Sequence, residues 1–375
     1  MKTYRNNVIQ GKCRANSSTK QLLKTIEAKE IAVIKHEDLD EMGALGLIEA
    51  KVKAVINAAP TMTGKYPAHG AIALLRAGIP IFEISAHHFP LFACPTVVSI
   101  RGNRIVADHF SVPCRRFTYS DWQKLNEKAQ ENLGPMLSDF IDNTLNYARS
   151  EKQFVIRPLE LPPLKTDMKD KHVVVVVRGR GYKNDLRAIK NYIEDYKPVL
   201  IGVDGGADAL LEYGFTPDLI VGDMDSVSDD ALTVVKERIV HAYPDGRAPG
   251  MRRIKELGLQ AKVVAAPGTS EDLAMLIAYE KEAELIVTLG THTHMIDFLE
   301  KGRKGMSSTM LVRMKIGGKL VDAKGVSKLY QRPPKLRNLW VIPVAGLFPL
   351  AMLGLIHPGF RSLLGLFKIY VKMMI

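Results

Sequence analysis

Between Val199 and Ser226 the chain reads VLIGVDGGADALLEYGFTPDLIVGDMDS, and this segment concentrates residues that could do chemistry. Two apolar runs, Val199 to Val203 and Leu219 to Gly222, each end in acids: Asp204 followed by Gly205 and Gly206, and Asp223 with Asp225 two places on. Open α/β sheets bind ligands at the carboxyl ends of their strands, where glycines let the backbone approach a phosphate. Asp223 and Asp225 in one loop can turn oxygens toward a single Mg²⁺, an ion that takes few carboxylates and completes its shell with ligand phosphates and water. Taken singly, Asp204 reads equally well as a turn residue before a Gly pair, and Asp223 with Asp225 as an Asx turn and a helix N-cap. Together, in one sheet, they favour a Mg²⁺ and phosphate site with Asp204, Asp223 and Asp225 as the metal carboxylates.

Other candidates are weaker. Arg247, Arg252 and Arg253, in DGRAPGMRR, could clamp phosphate oxygens bidentately, although a basic loop with two glycines and a proline is more often a solvated connection. His292 and His294 follow an apolar run and a glycine and could act as ligands or as acid/base groups; loop histidines are commonly structural. RGRGY, Arg178 to Tyr182, lacks both the GxGxxG spacing and the P-loop lysine pattern, so it is not read as a dinucleotide or Walker site. Near the N-terminus, Asn57 to Pro60 followed by TMTGKYPAHG, Thr61 to Gly70, is either a second small-molecule or partner site or a plain strand-to-helix connection. His87-His88 shows no metal spacing, and Cys13, Cys94 and Cys114 lack the CxxC spacing of a zinc ribbon, so a reducing compartment is expected.

The elements that must position these residues alternate. A helix from Thr19 to Glu27, a strand from Ile31 to Lys35, a helix from Leu39 to Ala50, a strand at Ala54 to Asn57, a helix at Gly70 to Ala77 and a strand at Ile79 to Ile84 are predicted, then a hairpin over Thr96 to Asp108. A long helix is predicted from Ser120, as N-cap, to about Gln153, interrupted at Gly134-Pro135; it would connect domains or dimerise, or simply pack on its own domain. Pro158, Pro162 and Pro163 mark a boundary between Arg157 and Lys171. HVVVVV then opens a second domain as a strand buried on both faces, with a helix at Asp185 to Tyr196, and a doubly wound sheet is expected. The organisation expected is an N-terminal α/β domain with a small β unit over residues 1–118, the long helix and linker over 119–170, an α/β domain over 171–330 and a tail over 331–375.

Composition agrees with a folded chain of about two domains: 375 residues, 46% hydrophobic and 25% charged. The net charge of +12 is concentrated, because Gln331 to Ile375 carries Arg332, Lys335, Arg337, Arg361, Lys368 and Lys372 and no acid. Without aromatic interleaving or an RNP pattern, nucleic acid is not an expected partner. Leu339 to Ile356, LWVIPVAGLFPLAMLGLI, is uncharged and at the lower length limit for a membrane span, with basic residues before it as on a cytoplasmic flank; the alternative is a buried core helix, which Pro343 and Pro349 would kink. Beyond Pro358 the basic residues fall on one helical face, as in a helix lying in a membrane surface. MKTYRNNVIQGK has no apolar h-region, so no signal peptide is expected.

The block DGGADALLEYGFTPDLIVGDMDSV resembles the thiamine pyrophosphokinase catalytic signature, whose DGG and GDxDS acids hold Mg²⁺ and a nucleotide diphosphate. Over nearly the whole chain, NAAPTMTGKYPAHG, AYPDGRAPG, GTSEDLAMLIA, VTLGTH, KGRKGMSSTMLVR and GGKLVDAKGVSKLY, followed by the hydrophobic tail, are similar to the SteA-like cytokinetic ring proteins of bacteria. The resemblance implies a pyrophosphokinase-like second domain and a membrane-anchored protein of cell division at the cytoplasmic face. Its expected partners are a nucleotide or other diphosphate, with Mg²⁺ and ATP as cofactor and ligand, a division-machinery protein and a second copy of the chain. Asp204, Asp223, Asp225 and Asp272 would be the catalytic acids, while Gly205, Gly206, Asp218, Ser226 and Arg247 would contact nucleotide or phosphate. The chain departs from the pyrophosphokinase pattern after Leu289, where LGTHTHMIDFLEKGRKG replaces a GGRxDH-like loop, with His292, His294, Asp297 and Arg303 as nearby polar residues. The resemblance therefore implies Mg-diphosphate binding more strongly than thiamine recognition, and an active ATP-dependent diphosphotransferase is the alternative to a ligand-binding scaffold.

Overall fold

The computed structural model describes residues 8–328, 346–349, 352, 356 and 358–374. It divides into two compact units, Met1–Lys324 and Gly325–Ile375.

Eight strands build the first sheet: β1 (Ile9–Ala15), β2 (Ile31–Ile34), β3 (Ala54–Asn57), β4 (Ile81–Glu83), β5 (Thr96–Arg101), β6 (Arg104–Val106), β7 (Ser111–Pro113) and β8 (Arg115–Phe117). Their order is β7-β6-β5-β1-β2-β3-β4-β8. Strands β1 to β4 run parallel, and β5 to β8 add antiparallel pairings at both flanks. The β5–β6 hairpin lies where alternation predicts it, turning at Gly102, which has a positive φ of 54°. Strand β1 has no counterpart in the sequence reading: its buried side chains are few because Gly11 and three polar residues interrupt it, and pairing with β2 and β5 holds it in place. The first predicted helix is shorter than expected, Thr19–Leu22.

The second sheet is wholly parallel: β9 (His172–Val177), β10 (Val199–Val203), β11 (Leu219–Gly222), β12 (Glu237–Ala242), β13 (Lys262–Ala265), β14 (Leu285–Leu289) and β15 (Leu320–Asp322). Its order, β13-β12-β11-β10-β9-β14-β15, reverses at β9, where β14 returns to the opposite side. This is the doubly wound pattern, and the crevice at such a reversal is where these sheets bind ligands. Strand β9 is buried along Val173 to Val177, as its β-branched run requires. The helix predicted from Asp185 to Tyr196 is instead two helices, Tyr182–Ala188 and Lys190–Tyr196.

One helix, Tyr119–Ile156, ties the two sheets together. Its N-cap is Thr118, not Ser120: the Thr118 hydroxyl accepts from Asp121 N while Asp121 accepts from Thr118 N, a capping box. Nor does Gly134-Pro135 interrupt it. Proline removes one backbone donor, and both residues are exposed, so the freed carbonyl reaches water while packing holds the turns on either side. Trp122, Leu125 and Ala129 pack into the core of the first sheet, whereas Val155 joins the core of the second. Between them, Thr144 Oγ1 accepts from Met306 N at 3.1 Å and Ser307 Oγ donates to Glu151 at 2.7 Å. The helix is thus a strut with one end in each core.

The linker that follows is anchored by Glu237 on β12. Its buried carboxylate accepts from Lys165 N, Thr166 N and Thr166 Oγ1 and pairs with Lys262 Nζ at 2.5 Å. Burial works against the charge, but Lys262 and these donors outweigh it and hold the pKa at about 2. A carboxyl lowered on folding stabilises the fold above its unfolded pKa, near 4.5, and loses that contribution as pH falls toward 2. Glu237→Gln is expected to cost about 2–4 kcal/mol near neutral pH. In chemical denaturation across pH the deficit should shrink between about 4.5 and 2; a pH-independent deficit would mean that the charge is not what stabilises the linker.

In the second unit the described residues include a helix, Pro358–Met374. The apolar run Leu339 to Ile356 lies mostly outside the described residues, and among those described no helix is long and apolar enough to cross a membrane.

Candidate functional site

Both parallel arrays turn the carboxyl ends of their strands toward one cleft of about 980 Å³ within the first unit. On the second-sheet side stand Arg178 after β9, Asp204 after β10, Asp223 after β11 and His292 after β14; Lys35 and His36 after β2, with Lys20 and Lys24, form the first-sheet side. Fully buried Asn57 holds the end of β2 in place, accepting from His36 N at 3.0 Å and donating to His36 O at 2.8 Å. The Thr61 to Gly70 loop is occupied otherwise: Thr61 N donates to Glu83, Thr63 bonds Asp38 and Lys65 pairs with Glu37. That loop supports the domain and does not line the cleft.

Asp204 is the pivot of the site. It has a positive φ of 46°, its N donates to Val221 O at 3.1 Å, and its Oδ1 accepts from Met224 N at 3.0 Å. The carboxylate therefore bridges from the end of β10 to the loop after β11. Only glycine permits this crossing, since a Cβ on Gly222 would stand 1.9 Å from Asp204 Oδ1. Burial, and then the charge of Asp223, push the Asp204 pKa up to about 7, while Lys20 and the Met224 bond pull the other way. The loop itself is fixed from below: Arg253 Nη1 donates to Met224 O at 2.5 Å and Gly250 packs against Asp223 O.

The other expected residues divide. Ser226 lines the cleft, as does Gly205, which lies beneath the Arg178 side chain; Gly206 instead permits its helix to approach β9, since a Cβ there would meet Val176 O at 1.9 Å. Asp225 is exposed beside the cleft, its N donating to Asp223 Oδ1 at 2.9 Å. Asp218 is at the far, amino end of the strands, where it accepts from Leu200 N at 2.9 Å and braces β10. Arg247 is exposed, pairs with Asp245 at 2.7 Å and does not line the cleft. Arg252 faces Glu256 at 3.7 Å. Asp272 is completely buried: it completes a capping box with Thr269 and accepts from Ser308 and Thr309 hydroxyls at 2.9 and 3.0 Å, away from the cleft. Burial first, and Glu271 next, raise its pKa.

Sequence reasoning missed the neighbour, Glu271. It lines the cleft, where its Oε1 lies 2.5 Å from His292 Nδ1 and its Oε2 accepts from His292 N at 2.9 Å. Burial alone would raise Glu271, but the His292 hydrogen bonds and the charges of His292 and Lys301 overcome it and leave its pKa lowered. Of the polar residues after β14, His292 and Arg303 reach the cleft, whereas His294 caps a helix and Asp297 pairs with Lys324 at 3.1 Å. Arg178 was also overlooked, because RGRGY matches no phosphate-loop spacing; its position directly after the buried β9 run was the available signal.

Among the described residues no group of three or more acids, histidines or cysteines could hold a metal ion. Asp204 and Asp223 are two carboxylates drawn together, which suits Mg²⁺ held jointly with ligand phosphates and water and does not suit an all-protein cage.

Comparison with known families agrees with part of this picture. A model described as "Thiamin pyrophosphokinase, catalytic domain" matches residues 190–246, which include Asp204, Asp218, Asp223 and Asp225 but not Arg247 or Asp272. A model described as "SteA-like C-terminal domain" matches residues 324–375. No curated protein matches the chain. Similar solved structures include a thiamine pyrophosphokinase from Bacillus subtilis, 24% identical over 40% of this chain and 60% of that one, with a TM-score of 0.26. A 3-isopropylmalate dehydratase from Methanocaldococcus jannaschii is 11% identical over 33% of this chain and 98% of its own, with a TM-score of 0.23. A cellulase from gut-associated microbes is 11% identical over 36% and 71%, with a TM-score of 0.17.

Because Asp204 titrates higher when folded than in the unfolded chain, its ionisation weakens the fold increasingly from about pH 4 to 7. Asp204→Asn keeps the acceptor for Met224 N and removes the charge, so with chelator present it should stabilise the protein by about 1–3 kcal/mol at pH 8. The gain should vanish near pH 4. Denaturant unfolding at both pH values checks this, and an Asn variant less stable at pH 8 would contradict it.

Proposed function

We propose that this chain is a cell-division-related protein whose second-sheet domain binds Mg-nucleotide or another diphosphate and which associates with the cytoplasmic face of the membrane through its tail. The observation that carries the ligand reading is the convergence of Asp204 and Asp223 at the carboxyl ends of β10 and β11, in a cleft also lined by Arg178. The match to a pyrophosphokinase catalytic model over this same segment supports it, and the SteA-like match over the tail supports the division-related role. Bound there with the ligand's phosphates, Mg²⁺ would supply neutralisation of charge on the bridging oxygens.

A second reading, an active diphosphotransferase, is favoured by the Glu271–His292 pair in the cleft. A substrate hydroxyl would attack the nucleotide β-phosphorus, forming an O–P bond as the bond to the α-phosphate oxygen breaks and AMP departs. His292, oriented by Glu271, would take the hydroxyl proton. The charge distribution of the tail supports surface association: on the helix Pro358–Met374, Lys368 and Lys372 share a face opposite Leu366, Phe367, Tyr370 and Met373, all exposed.

Calorimetry of the full chain with ATP should show Mg²⁺-dependent binding that falls at least about 100-fold in Asp204→Ala plus Asp223→Ala, each charge-assisted contact being worth roughly 1.5–3 kcal/mol. Absence of binding in the wild type would overturn the ligand reading. Release of AMP with thiamine or another alcohol, lost in His292→Asn, would make the protein an enzyme. In sedimentation with vesicles containing phosphatidylglycerol, Lys368→Glu plus Lys372→Glu should reduce binding about tenfold or more, at roughly 1 kcal/mol per charge, with a further contribution from repulsion. Equal binding to neutral vesicles would contradict the surface-charge role.

A further inference from the structure

The other wall of the cleft belongs to a different sheet and brings three lysines to it beside two acids, Asp40 and Glu49. Lys20, Lys24 and Lys35 all line the cleft and are exposed. Among the described residues Lys20 and Lys35 have no hydrogen-bond or ion-pair partner, and Lys24 reaches only Asp225 O, at 3.4 Å. Lys20 is near enough to Asp204 to favour its charged form. Lys20 and Lys35 satisfy nothing inside the protein, and all three amines share with the two carboxylates a cleft of about 980 Å³, large enough for a nucleotide.

The direct ties between the two sheets at this cleft are modest. Arg180 pairs with Glu41 at 3.1 Å and Lys183 with Glu49 at 3.0 Å, each pair with at least one side chain well exposed, and such pairs contribute little. A polyanion between Lys20 and Lys24 on one side and Arg178 with a metal-bearing Asp204 and Asp223 on the other would contact both walls with charge-assisted bonds.

We infer that the diphosphate site is composite: Lys20 and Lys24 of the N-terminal domain bind the phosphate oxygens opposite Asp204 and Asp223, so that ligand binding clamps the first-sheet domain onto the second. This rests on the proposed Mg-diphosphate reading of the acids and adds a binding wall that the second-sheet domain does not contain. Occupancy is then reported as a tightening between domains, a signal that a scaffold can transmit without turnover.

The test uses the full chain and inorganic pyrophosphate with Mg²⁺ as the probe. Wild-type protein should bind, and hydrogen–deuterium exchange should slow on binding in peptides covering residues 17–24 and 41–49 as well as around 204–206 and 223–226. Lys20→Ala plus Lys24→Ala should weaken binding about tenfold or more and abolish the added protection at 17–24. Lys20→Arg plus Lys24→Arg should retain most of the affinity, and Lys255→Ala, outside the cleft, should leave it unchanged. Affinity within twofold of wild type in the double alanine variant, or protection confined to the second-sheet peptides, overturns the clamp while leaving the acid site standing. Failure of the wild type to bind pyrophosphate and ATP overturns both.

Discussion

Two carboxylates, Asp204 and Asp223, are held against one another at adjacent strand ends, and much of the surrounding architecture serves to hold them there. Asp204 takes a left-handed backbone conformation so that its side chain crosses over Gly222 to the Met224 amide. Arg253 and Gly250 fix the far side of that loop. Burial first, and the like charge of Asp223 next, make Asp204 resist ionisation until about pH 7. Ionising Asp204 beside Asp223 costs the folded chain stability, and the cation of the proposed site would offset that cost.

That constraint gives the first sheet its functional meaning. The second sheet and its helices bring Arg178, Lys183, His292, Lys301 and Arg303 to the same side of the cleft as the acids. The cleft also receives Lys20, Lys24 and Lys35 from a domain joined to it by a helix of 38 residues. Since this helix has one end in each hydrophobic core, the two walls are held in register by packing while the direct polar ties across the cleft stay weak. Rigid support behind a loosely tied cleft suits a site that closes on its ligand.

Reading along the chain grouped acids that the fold sends to different places. Asp204, Asp223, Gly205 and Ser226 come to the cleft as their strand-end positions implied. Asp218 and Asp272 have the same residue type yet are consumed by structure, one bracing the start of β10, the other capping a helix and collecting the Ser308 and Thr309 hydroxyls. The residue next to Asp272, Glu271, reaches the cleft instead, because consecutive positions in the first turn of a helix point about 100° apart. Arg247 looked like a phosphate clamp by composition alone and is spent on a neighbouring aspartate in an exposed turn.

By itself the sequence determined the α/β alternation, the continuous buried β9 strand, the hairpin after Thr96, and the strand ends that carry Asp204 and Asp223, because hydrophobic periodicity and turn residues act over a few neighbouring positions. Tertiary structure alone decided that β1 enters the first sheet despite its polar residues, that the long helix continues through Gly134-Pro135, and that Lys24 meets the Asp225 carbonyl 201 residues away. Pairing partners, packed helix faces and facing strand ends depend on groups far apart in the chain, and their energies exist only once the fold has brought them together.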